Sequence, residues 1–234
     1  MDKRGSHVGM VLSFVIFVTF LLFVFSVLQP EIQNDESNKA AIENIEKEIM
    51  ENISSQMTSF TLSVQESSEE DNCLKINNLI PKEKNVIVKN SKQNILNAST
   101  SEKNLKIEGD TERGFFKVYY SNFFEETGIS CTPQELGAEE YSISSQKEKN
   151  LIFVPLVKGL TNSLENNYES VKNNFNVATN KDFQFALVLE NGTEIGNLDN
   201  SENLKTNVEF KEWPIQYVGN KANIIPGDLK IKVW

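Results

Sequence analysis

The chain has 234 residues, with 23 basic against 33 acidic side chains, a net charge of −10 and a single histidine. This balance argues against nucleic acid as a partner, since phosphate backbones bind basic faces. His7 lies near the amino terminus and the only cysteines are Cys73 and Cys131, so no His/Cys zinc site can be assembled beyond residue 7.

Residues 8–30 carry no charge, and residues 8–28 read VGMVLSFVIFVTFLLFVFSVL. At about 1.5 Å per helical residue the uncharged run reaches roughly 35 Å, enough for a hydrocarbon core of about 30 Å. Lys3 and Arg4 precede it while Glu31, Asp35 and Glu36 follow it. The positive-inside bias therefore predicts a cytoplasmic flank at 1–7, a transmembrane helix at 8–30, and everything after it outside the cell membrane. A secretory signal peptide shares the basic start. Its apolar core is shorter, however, and no small-x-small cleavage site closes this run at Phe25-Ser26-Val27-Leu28-Gln29. A retained single-pass anchor is the reading adopted.

Pro30 marks the membrane exit or a kink. A second helix or stalk is expected over 31–56, capped by Asp35 or Ser37, with Ile42, Ile45, Ile49 and Ile53 spaced at three and four residues. Fewer than three clean heptads favour packing of that face on the protein's own head over a free coiled coil. From Met57 the period becomes two, with Phe60, Leu62 and Val64 on one face. Further short strands are expected at 73–77, 85–89, 103–108 and 114–121. Residues 57–130 thus read as a β-rich, sandwich-like region.

Residues 131–234 read as α+β. Strands near 140–144 and 151–154 lead into a long helix starting beside Pro155, with Val157, Leu160, Leu164, Tyr168, Val171 and Phe175 on one face. Phe183, Phe185, Leu187 and Leu189 alternate up to Asn191-Gly192, a strong hairpin signal. In the last ladder the apolar phase slips between Phe210 and Trp213, which predicts a bulge at 211–214. Pro226-Gly227 is expected to turn the chain, with Leu229, Ile231 and Val233 alternating beyond it. The fold class expected is therefore α+β, an apolar and an amphipathic helix followed by a mostly antiparallel head with one further long helix.

On the predicted extracytoplasmic side Cys73 and Cys131 are candidates for a disulfide, the alternative being two buried free thiols. Asn52, Asn97 and Asn191 begin N-x-Ser/Thr glycosylation acceptors. No nucleophile elbow, zincin motif or phosphate loop occurs. Ser144-Ser145-Gln146-Lys147 fits S-x-x-K without its companion elements. The carboxylate pairs Glu69-Glu70-Asp71, Glu125-Glu126 and Glu139-Glu140 are adjacent in sequence, so on strands they point apart. Asp199-Asn200-Ser201-Glu202 offers oxygens to calcium but lacks the glycine and terminal glutamate of an EF-hand loop. Neither catalysis nor a cofactor is expected.

Lys3-Arg4-Gly5 ahead of the apolar run, with Pro30 inside the helical leader, resembles archaeal type IV pilin-like proteins. That resemblance implies processing after Gly5, a membrane-anchored surface protein, and self or other pilus proteins as partners. Met10 stands where such families place an acidic residue. Together these readings give an expected structural or assembly role, with an extracytoplasmic binding module for a protein or glycan ligand as the alternative.

Overall fold

Helix α1 (Gly5–Ile53) runs for 49 residues in the computed structural model, which describes residues 5–65, 73–109, 114–198 and 208–234. The anchor and the amphipathic segment, expected as two helices, are therefore one rod about 75 Å long at 1.5 Å per residue. Pro30 removes one donor from the ladder without ending it, and the Glu-, Lys- and Ala-rich sequence behind it favours helix. No new start at Asp35 or Ser37 occurs. The helix also stops at Ile53, short of the expected residue 56, because β1 (Ser54–Val64) follows without a loop.

The two halves of the rod meet different surroundings. Gly9–Ser26 has mean hydropathy 2.5 and none of it is buried in the fold, so the chain has one N-terminal helix long and apolar enough to span a membrane. Ile42, Ile45, Ile49 and Ile53 are instead at most 1% exposed. As their spacing predicts, they form one stripe packed into the head, each worth roughly 1.5–3 kcal/mol of burial.

The chain then passes through β2 (Cys73–Ile76), β3 (Asn85–Lys89), β4 (Ile95–Ser101), β5 (Asn104–Glu108), β6 (Gly114–Ser121), β7 (Gln134–Glu135), β8 (Tyr141–Ile143) and β9 (Lys147–Phe153). Helix α2 (Val154–Asn174) follows, then β10 (Phe183–Leu189), β11 (Glu194–Gly196), β12 (Glu209–Val218) and β13 (Ile224–Val233). The strands make one hydrogen-bonded path, β11-β10-β13-β12-β9-β1-β6-β3-β4-β5-β2-β7, with β8 also beside β1. Among the described residues only β9 with β12 and β2 with β7 pair in parallel. The protein is thus α+β with a large, mostly antiparallel sheet. That path crosses the expected boundary at 130/131, since β8 and β9 both pair with β1.

Side-chain alternation sorts the core into three clusters. Phe60, Leu62 and Val64 of β1 pack with Val118, Val88, Leu105 and Leu74 from the strands on one side of the path. The isoleucine stripe of α1 packs with Val157 and Leu164 of α2, Phe183 and Phe185 of β10, and Leu229 and Ile231 of β13. Between them, on the opposite face of β1 and β6, lie Met57, Tyr119, Leu151 and Phe153.

Two details of the last ladder differ from expectation. The register of β12 on β13 is one-to-one from Glu209↔Val233 to Val218↔Ile224, so no bulge exists at 211–214. Phe210 lies exposed on the outer face, while Trp213 and Ile215 pack against the core. The slip in phase is one apolar side chain left outside. Pro214 is tolerated because, among the described residues, β12 has no partner on its other edge until Tyr217. Nor does the chain turn at Pro226-Gly227, which lie inside β13. The turn is at 219–223, where the Gly219 amide donates to the Asn223 carbonyl at 2.9 Å. Gly227 serves close packing, as a Cβ there would stand 2.7 Å from the Val188 carbonyl and 3.1 Å from the Tyr217 ring.

A polar cluster ties α2 to β10. The Phe183 amide donates to the Tyr168 hydroxyl at 2.8 Å, and buried Lys172 pairs with Asp182 at 2.9 Å. Burial pushes the Tyr168 phenol up to about 12, against the opposing Phe183 backbone bond and with the Asp182 charge adding to the rise. Tyr168→Phe strands the Phe183 N–H and should cost about 1–3 kcal/mol. The urea midpoint should fall without any change in pH dependence near neutrality.

Candidate functional site

The sequence-predicted positions do not converge. Cys73 and Cys131 are bonded, with Cα atoms 6.1 Å apart, and join β2 to the connection that precedes β7. Asn52, on the last turn of α1, donates to the Glu48 carbonyl at 2.8 Å, and Asn97, on β4, lies 3.3 Å from Glu108 Oε2. Asn191 sits in the β10–β11 turn, its side chain accepting from the Thr193 amide at 3.0 Å. All three are exposed.

Ser144 Oγ accepts the Thr61 amide at 2.8 Å, so the hydroxyl of the S-x-x-K match is engaged in edge pairing along β1. Glu126 accepts from the Thr100 amide and hydroxyl at 3.1 and 2.7 Å, and Glu140 accepts from the Gly137 amide. Each of these carboxylates closes a loop. Glu69-Glu70-Asp71 and Asp199-Asn200-Ser201-Glu202 lie outside the described residues. Among the described residues no three His, Cys, Asp or Glu side chains gather as a metal site requires.

What the structure does assemble is a groove absent from the sequence reading. Register sets its floor. Ser59 of β1 stands opposite Lys147 of β9 and Tyr119 of β6, Met57 stands opposite Lys149, and Lys117 of β6 stands opposite Lys89 of β3. Residues directly opposed share a face, as do those two apart on one strand. Lys89 of β3, Lys117 of β6, and Lys147 and Lys149 of β9 therefore lie on one face of the β9-β1-β6-β3 stretch of the sheet. The turn at 219–223 and the start of β13 wall an open groove of about 680 Å³, to which Asn223, Ile224, Pro226, Gln93 and Glu190 also contribute.

Lys89 is the unusual member. It is 4% exposed, donates to Asn223 Oδ1 at 2.5 Å, and stands 5.3 Å from the centre of the Tyr119 ring, with Lys117 5.6 Å from the same ring. Burial first, then the Lys117 and Lys221 charges, hold the Lys89 ammonium below the ordinary lysine value. Among the described residues no carboxylate lies within ion-pair distance of any of these four lysines. The sole hint in the sequence was lysine at alternate positions 147 and 149. Nothing local connects those to Lys89 or Lys117. Comparison with protein-family models, with curated proteins and with solved structures finds no match to this chain.

Proposed function

We propose that the chain is a single-pass membrane protein, anchored through residues 8–30, whose sandwich-like head stands outside the cell membrane in a structural or assembly role. A pilin-like subunit or another envelope component fits that description. One observation carries the reading: the exposed apolar half of α1 continues without a break into a half locked in the core of the head. A helix apolar on every face has no stable place in water and needs a bilayer or a bundle of like helices around it. Tethering a head requires only a flexible linker, whereas a continuous rod ending in central strand β1 fixes the head's orientation, as assembly into an array demands.

A second reading, an extracytoplasmic binding module, is favoured by the lysine-lined groove. Chemical cross-linking in intact membranes separates the two. Adducts with further copies of the chain or with filament proteins support assembly, and adducts only with a distinct partner support the binding module.

Topology and processing have their own test. Protease added to intact spheroplasts should digest the head, while protection until lysis would overturn the orientation. An intact mass beginning at Ser6 is expected for pilin-like processing. A mass retaining Met1 would remove the pilin-like reading and leave the anchored envelope component.

A further inference from the structure

We propose that the groove over β9, β1, β6 and β3 is a binding site for an acidic polysaccharide, its carboxylate or sulfate groups held by Lys89, Lys117, Lys147 and Lys149. This goes beyond the anchoring role and does not depend on it.

Four lysines on one sheet face are costly as plain structure. Lys89 and Lys117 are directly opposed on neighbouring strands, an arrangement that destabilises a sheet through like-charge repulsion. In a chain of net charge −10, with ten more acidic than basic residues, ion-pair partners were abundant. None is placed within reach among the described residues. An anion in the groove supplies the missing counter-charge beside Lys89, whose proton affinity is lowered first by burial and then by the Lys117 and Lys221 charges.

Shape and neutral neighbours select the ligand. Three inter-strand steps of roughly 4.8 Å set the strands that carry the outermost lysines about 14 Å apart, so the cationic side chains are rooted along the groove rather than at one point. The ligand must then carry charges at intervals. The site lies on the face of the sheet, where main-chain groups are spent in the ladders, so an extended peptide finds no edge to pair with. Instead the groove offers the amides of Gln93 and Asn223 and the hydroxyl of Ser59, beside the apolar Ile224 and Pro226, with the Glu190 carboxylate also on its lining just past the end of β10. Hydroxyl-bearing rings with pendant acids match such a lining. Lysine supplies point charges without a planar fork, which suits carboxylate and sulfate alike.

The test uses the full-length protein in detergent with a sulfated heparin oligosaccharide and an oligogalacturonate as probes, read by calorimetry. Both should bind, and a neutral dextrin of equal length should not. The double variant Lys117→Gln/Lys149→Gln, at exposed positions, should weaken binding at least tenfold, while Lys47→Gln/Lys158→Gln, with the same change in net charge, should not. Affinity should fall as pH rises through the lowered Lys89 value, earlier than for ordinary lysines. The proposal fails if neither acidic oligosaccharide binds, if the two double variants weaken binding equally, or if polyglutamate or single-stranded DNA binds as tightly as the oligosaccharides.

Discussion

Ile45→Asp or Ile49→Asp should leave the head unfolded at room temperature, while Lys47→Asp, on the same helix, should leave it folded. Both isoleucines are fully buried among α2, β10 and β13. Each substitution forfeits roughly 1.5–3 kcal/mol of apolar burial and places a carboxyl group where it has no partner, which costs several kcal/mol more. That sum approaches the whole stability of an ordinary domain, about 5–15 kcal/mol. Lys47 is mostly exposed and meets Glu51 only at 3.8 Å, a pair worth at most about 0.5 kcal/mol. Thermal melts of the full-length variants in detergent, followed by near-UV circular dichroism, give the comparison. Equal melting temperatures would mean that the isoleucine face does not hold the head to the rod, and a contact between neighbouring subunits would become the better account of it.

Replacing both cysteines, Cys73→Ala with Cys131→Ala, should lower stability by roughly 4 kcal/mol in the chain-entropy account of a bridge across 58 residues. For a protein of this size that corresponds to a fall in Tm of about 10 °C. The segment next to the bridge has further ties: Glu108 accepts from the Ser130 amide and hydroxyl at 3.0 and 2.5 Å, and Thr127 Oγ1 accepts the Ala98 amide at 2.8 Å. The variant should therefore fold, only less stably. Ser130, through its hydroxyl and then its amide, holds the Glu108 carboxyl below the usual range. A depressed carboxylate contributes stability above its unfolded pKa and loses it as pH falls through the folded value. This contact should thus help to hold the segment at neutral pH and cease to do so in acid, with or without the bridge. Peptide mapping without reductant, with thiols blocked at lysis, should recover one Cys73–Cys131 linked pair. Two alkylated thiols would remove both the bridge and the support it lends to an oxidising compartment.

Periodicity by itself determined a good deal of this molecule. The three-and-four spacing of Ile42, Ile45, Ile49 and Ile53 marked a buried stripe, and the alternation of Phe60, Leu62 and Val64 marked the inner face of β1. Pro155 placed the start of α2, and Asn191-Gly192 placed the β10–β11 hairpin. Each is a local pattern, since the helical or extended backbone itself decides which side chains share a face.

What a local pattern cannot carry is the identity of the neighbour. β4 escaped notice because ILNASTS offers only Ile95, Leu96 and Ala98 as apolar residues, and it is strand because β3 and β5 flank it. Phe210 suggested a bulge because an exposed phenylalanine looks like a slip in phase until the partner register is known. Pro30 suggested a boundary because its local penalty is evident, whereas α1 runs through it as one helix from Gly5 to Ile53. The groove is the extreme case. Lys89, Lys117, Lys147 and Lys149 come from three separate strands, and it is β1, inserted between β9 and β6, that brings them onto one surface. A lysine's own sequence fixes which side of its strand it occupies, but only the pairing of strands decides which other charges it must face.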